Sequence, residues 1–206
     1  MGELTITTFL TIDGVMQAPG GPTEDTSGGF AHGGWVFPYA DDDMGRIMVD
    51  IFSKADAFLL GLTTWEIFAG YWPKVTDPAD PVASKLNELP KFVASRTRTA
   101  FDWNRTELVR DAAKHLADLK NRFPGELQVH GSGDLAQTLI KNDLIDEYRL
   151  LVFPVLIGTG KRLFGSGTVP AAMTLVRSAT TRAGVVFSVY RRAGAFKTGS
   201  FELPEK

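Results

Sequence analysis

The chain has no cysteine among its 206 residues. That excludes a thiol nucleophile, a disulfide framework and any cysteine-ligated metal. Histidine is nearly as scarce: His32, His115 and His130 are widely separated, and none has the spacing of a metal site. No apolar run is long enough to cross a bilayer. The stretch 150–157 contains Pro154 and falls well short of the ~20 residues a spanning helix needs. Neither sign of charge dominates, with 22 Lys and Arg against 24 Asp and Glu. A nucleic-acid or membrane-surface binder would carry a basic field that this chain lacks. Glu3 comes early, with no basic stretch before an apolar one, unlike a secretory leader. The expectation is a cytoplasmic protein without a metal, acting on a small molecule rather than on nucleic acid or membrane.

What is present is a large apolar fraction, 44%, enough for a substantial core. Strand and helix patterns alternate. Residues 4–12, 57–60, 91–94, 107–109, 126–130 and 147–153 read as strands. Residues 41–53, 63–68, 111–122 and 133–141 read as helices, the first and third opened by aspartates suited to capping. Residues 14–34 hold seven glycines and two prolines without periodicity, a long loop of the kind that carries function. Residues 71–81 form a Pro/Asp loop. Two late β-rich runs, 173–178 and 185–191, read as a closing antiparallel pair. The pattern predicts an α/β fold with a mostly parallel central sheet and an antiparallel C-terminal edge. No linker or repeat interrupts it, so residues 1–194 are read as one domain and 195–206 as a frayed tail.

Three turns directly after strands suit phosphate. In Gly131-Ser132-Gly133 two glycines let the backbone approach a diphosphate, and the helix that follows favours negative charge. Asp134 and Leu135 continue it, and Ala136 completes a G-x-G-x-x-A outline. An ordinary strand-to-helix turn reads the same way. Gly61-Leu62-Thr63-Thr64 is a second such junction, with Thr63 or Thr64 as an alternative helix cap. Ser95-Arg96-Thr97-Arg98 combines hydroxyl and guanidinium donors that suit a phosphate monoester, or a solvated basic turn. In an open α/β sheet the carboxyl ends of strands are where ligands bind. His130, at a strand end, reads as core packing or a cofactor contact. Trp35 and Phe37 after the glycine loop could stack on a flat heterocycle or anchor the loop. Trp65 and Trp72 read as packing.

Taken together, the strand ending in Asp13-Gly14, the segments DAFLLGLTTWE (56–66), FVASRT (92–97) and VHGSGDL (129–135), and LIDEYRLLVFPVLIGTGKRLF (144–164) resemble the dihydrofolate reductase-like superfamily. Within it, the chain is most similar to the reductase domain of the bacterial riboflavin-biosynthesis deaminase-reductase and its stand-alone relatives, from about residue 4 to 191. The resemblance implies a three-layer dihydrofolate reductase-like fold and an NADPH-dependent reductase. Gly61 to Thr64 would approach the cofactor phosphates, Ser95, Arg96 and Thr97 would hold the 2′-phosphate, and Gly131 to Leu135, with His130 beside them, would cradle the diphosphate. Thr11 and the glycine loop would flank the nicotinamide. Hydride would pass to a small heterocycle of pterin, uracil or flavin type. A homodimer is also implied. Dihydrofolate reductases carry one acid on the helix after the first long loop; here Asp41, Asp42, Asp43 and Asp50 occupy that region, and Asp42 and Asp43 are the candidates. The first strand lacks the basic residue of the riboflavin enzyme, which separates this chain from a 5-amino-6-(5-phosphoribosylamino)uracil reductase, the alternative activity. A non-catalytic nucleotide-binding module is the alternative of another class.

Overall fold

The computed structural model describes residues 1–166 and 168–201. Eight strands make one sheet: β1 (Glu3–Thr11), β2 (Ala55–Gly61), β3 (Lys91–Ala94), β4 (Thr106–Val109), β5 (Glu126–His130), β6 (Glu147–Phe153), β7 (Met173–Thr180) and β8 (Val186–Arg192). Their order across the sheet is β4-β3-β2-β5-β1-β6-β8-β7. From β4 to β6 every neighbouring pair is parallel. β8 runs antiparallel to β6, and β7 antiparallel to β8. This is the α/β architecture expected, with its antiparallel edge. No described helix is long and apolar enough to cross a membrane.

Side-chain alternation sorts the helices to the two faces. On one face Leu4, Ile6, Leu10, Leu59 and Phe92 pack against α4 (Ala112–Arg122) and α5 (Gly133–Lys141). On the other face Leu151, Phe153 and Phe187 meet α1 (Asp42–Ser53) and the glycine loop. Phe58, Leu60 and Val93 pack on this side with α2 (Leu62–Tyr71), α3 (Pro81–Glu88) and Trp103. Thr5, Thr7 and Thr8 of β1 are buried, and their hydroxyls meet no partner among the described residues. Their β-branched shape suits a central strand, so here threonine acts as a small apolar residue.

Two expectations need correcting. Residues 81–88 form a helix that the apolar periodicity did not reveal. Its start is marked by Asp80, which accepts from Val82 N and Ala83 N at 2.9 Å, with Pro81 at the first position. That arrangement suits a helix start, where proline loses no needed donor. The helix after β2 is not capped by Thr63 or Thr64: it begins at Leu62, its cap residue is Gly61, and no side chain caps it. The expected tail at 195–206 lies partly outside the described residues.

Candidate functional site

Because β1, β2, β3, β5 and β6 are parallel, their carboxyl ends share one edge of the sheet. The caps of the five helices set that edge apart. Asp41 caps α1 at Met44 N, Asp80 caps α3, and Asp111 caps α4 at Lys114 N. Only α2 and α5 start without a side-chain cap. Their first amides, which no helix bonds internally, therefore have no capping side chain either. These two helices follow β2 and β5, adjacent strands at the middle of the sheet.

The two uncapped turns are bonded to each other. Gly61 N donates to Ser132 Oγ at 2.9 Å, and Ser132 N donates to Thr64 Oγ1 at 3.0 Å. Ser132 Oγ also donates to His130 O at 2.8 Å. Gly131 and Ser132 both take the left-handed conformation, at φ 52° and 56°. A Cβ on Gly61 would press to 3.4 Å from the Ser132 side chain. Ser132 Oγ is thus committed to holding the turn, and among the described residues the amides of Gly133, Asp134, Leu62 and Thr63 have no hydrogen-bond partner. The carboxylate of Asp134 is exposed beside them, and Leu135 is in the core. Next to Gly133 and Asp134 lies a hollow of about 340 Å³, closed by Gln137, Gly160, Lys161, Arg162 and Gly165. A larger hollow of about 690 Å³ is lined by Val75, Asn87, Glu88 and Trp103. It lies by the amino ends of β3 and β4, away from the free amides.

His130 does not reach the surface. Its ring stacks on Phe52, centroids 4.4 Å apart and 6° from parallel, and Nε2 meets Gln128 Oε1 at 3.1 Å. Burial, with the charge of Arg149 nearby, lowers it to about 3, so the imidazole is neutral. It supports the turn from beneath. Below it, toward the amino ends, Glu126, Arg149, Glu147, Arg191 and Glu3 form a chain of ion pairs.

At the end of β3, Ser95 Oγ accepts from Thr97 N and Arg98 N at 3.3 and 3.0 Å, which folds the turn back on itself. Arg98 pairs with Glu66, and Arg110 donates to Ser95 O. Arg96 is exposed, and its side chain makes no hydrogen bond or ion pair among the described residues. Three guanidiniums thus surround this turn against one carboxylate. Arg110 carried no sequence signal; only the β3–β4 pairing brings it to Ser95.

At the end of β1, Thr11 Oγ1 donates to Asp13 Oδ1 at 2.5 Å and accepts from Val15 N. Asp13 also accepts from Ile157 N and Gly158 N and pairs with Arg162. The Thr11 hydroxyl, then these amides, pull Asp13 down to about 2. Trp35 is buried, donating to Gln17 O at 2.8 Å and packing edge-on to Phe153, so it anchors the glycine loop. Phe37 is open to solvent. Asp43 is held below the usual carboxylate range by the Arg182 amide and guanidinium and by Arg46. Asp42 is exposed, its carboxylate 3.6 Å from Arg182. Both fasten the β7–β8 turn to α1, and Asp43, held ionised in this way, is a poor proton donor at neutral pH.

Two free helix starts and a basic turn on one sheet edge make an edge suited to anions in an α/β domain. The chain belongs to the RibD C-terminal domain family, whose model matches residues 3–187. That is a reductase-type domain of riboflavin-biosynthesis proteins. Among curated proteins it is similar to YyaP of Bacillus subtilis, described as uncharacterized, at 28% identity over 90% of this chain and 92% of that one. YwjB of the same organism, also described as uncharacterized, matches at 26% over 56% of this chain and 62% of that one. A putative riboflavin biosynthesis protein from Shewanella sp. PV-4 shares the fold at TM-score 0.69 and 21% identity, covering 92% and 98% of the two chains. A pyrimidine reductase-like protein from Corynebacterium diphtheriae does so at TM-score 0.60 and 13% identity, covering 92% and 91%.

Proposed function

We propose that the chain is an NADPH-dependent reductase of a small heterocycle of pterin, uracil or flavin type. The observation that carries this is the joined pair of uncapped helix starts at the middle of the sheet. Free amides and two aligned helix dipoles suit a diphosphate, and the Gly61–Ser132 contact leaves the backbone bare there. The amides of Leu62, Thr63, Gly133 and Asp134 would hold the diphosphate. The Ser95 turn with Arg96 would hold the 2′-phosphate, and Thr11 with the glycine loop would flank the nicotinamide. When bound, the cofactor supplies a hydride for a C=N or carbonyl carbon. The protein's share is to fix the two partners in reacting geometry and exclude water from between them. With Asp13 and Asp43 held ionised, the balancing proton would come from solvent at the open rim.

Arg96 gives the test. A charged hydrogen bond contributes about 1.5–3 kcal/mol, so Arg96→Ala should weaken NADPH by roughly 10- to 100-fold and leave NADH within about twofold. Calorimetric titration of both nucleotides measures it. Equal losses would sink the 2′-phosphate assignment, and NADPH binding without oxidation across a substrate panel would favour the non-catalytic module. We further read β7 as the seam of a homodimer, because it is an edge strand with almost every residue exposed and such edges seek pairing.

A further inference from the structure

The edge that carries the free amides is uneven in charge and polarity from one end to the other. At the β3 end stand Arg96, Arg98 and Arg110; of the carboxylates there, Glu66 pairs with Arg98 and Asp111 with Lys114. At the other end, over β1 and β6, the balance reverses. Asp41, Asp42 and Asp43 open α1, and only Arg46 and Arg182 pair with them. Arg162 is matched by Asp13, and Lys161 by Asp25. Three carboxylates against two guanidiniums leave this rim negative. Its cations are also hard to redirect, since the Arg182 and Ala183 amides are tied to Asp43 and Asp41 as well.

The same rim presents large apolar side chains to solvent. Ile12 is 62% exposed, Leu156 69% and Phe37 83%. Ile12 N donates to Val155 O at 2.9 Å, which sets the Ile12 and 155–156 backbones side by side. The turn Phe37–Tyr39 abuts them, because Tyr39 OH reaches Pro154 O and its ring lies edge-on to Phe153. Apolar groups gathered at strand ends suit a flat, apolar ligand face. They do not suit a phosphate, which needs donors and positive charge.

Resting on the reductase reading, we infer that the substrate of this protein is a planar heterocycle without a phosphate group, held against Ile12, Leu156 and Phe37. The phosphate-binding capacity of the site is spent on the cofactor, at the middle of the sheet and at the β3 end. A phosphoribosyl tail at the β1–β6 end would meet net negative charge.

The matched probes are riboflavin and FMN, which differ by one phosphate. Their affinities follow from flavin fluorescence with NADP+ saturating, so that no turnover occurs. Riboflavin should bind at least tenfold more tightly than FMN. Ile12→Asp and Leu156→Asp should each cost riboflavin at least tenfold, while the NADPH-induced rise in melting temperature stays unchanged. FMN binding as tight as riboflavin, unaltered affinity in both variants, or no binding of either flavin overturns the inference. So does a result in which these substitutions only convert a dimer to a monomer. Riboflavin binding without any NADPH effect on melting would instead overturn the cofactor reading and leave the apolar rim standing.

Discussion

Arg149 lies 4% exposed in the sheet, with carboxylates on two sides. It grips Glu126 with two parallel bonds of 2.6 and 2.8 Å and Glu147 with a third of 2.6 Å. Glu147 in turn holds Arg191, which grips Glu3. A buried ion pair adds little net stability over apolar packing, but removing one member strands the others. Arg149→Met should therefore lower unfolding stability by about 3–5 kcal/mol, read by urea denaturation. The double change Arg149→Met with Glu126→Leu should recover more than half of that, since Glu147 and Arg191 remain paired. A single change as mild as the double would show that the cluster is solvated. Arg149 also lies near enough to His130 to help keep it neutral, so the cluster and the underside of the Ser132 turn share one electrostatic environment.

The glycine loop is one element whose behaviour depends on acidity. Asp13 ties it to the 157–162 segment, and Asp25 pairs with Lys161 at 2.8 Å. Burial alone would raise Asp25, but the bonds from Lys161 and Ser27 outweigh it and bring it to about 2. Both carboxylates thus sit below their unfolded value of about 3.9. Their contribution is complete above that value and is lost as pH falls toward 2. Glu24, raised by burial against the Gly20 and Gly21 amides, has the opposite sign and offsets part of it. Stability measured from pH 5 to pH 2 should fall, and Asp13→Asn with Asp25→Asn should flatten that slope. An unchanged slope would place the acid sensitivity elsewhere. The elements themselves were largely legible. Strand alternation and the capping aspartates Asp41 and Asp111 located β1, β5, β6, α1 and α4 within a residue or two. The helix 81–88 was not, because eight residues opening on a proline show too little periodicity. The three strand-end turns were visible too, but not the roles of their hydroxyls. Ser132 and Thr64 bond each other across 68 positions of sequence, and no local pattern reports a partner that distant.

At the scale of the whole molecule the sheet is covered on both faces except toward β8 and β7. There Leu175, Val176, Met173 and Val186 are exposed, and Leu150, Val152 and Tyr190 are only partly covered. A long edge strand with one charge, Arg177, invites pairing with its own copy about a two-fold axis. Analytical ultracentrifugation should find a dimer, and Leu175→Asp with Val186→Asp should give a folded monomer. A monomeric wild type would end this reading. The place of β1 has a further consequence, for synthesis rather than for the finished protein. It is the first of the eight strands to be made, yet its partners are the fifth and sixth: Glu3 lies opposite Glu126, and Thr5 opposite Glu147. Such distant pairings close slowly. During translation this almost wholly buried strand must wait unpaired until β5 has emerged, a window in which a nascent chain depends on chaperones to avoid sticking to its neighbours.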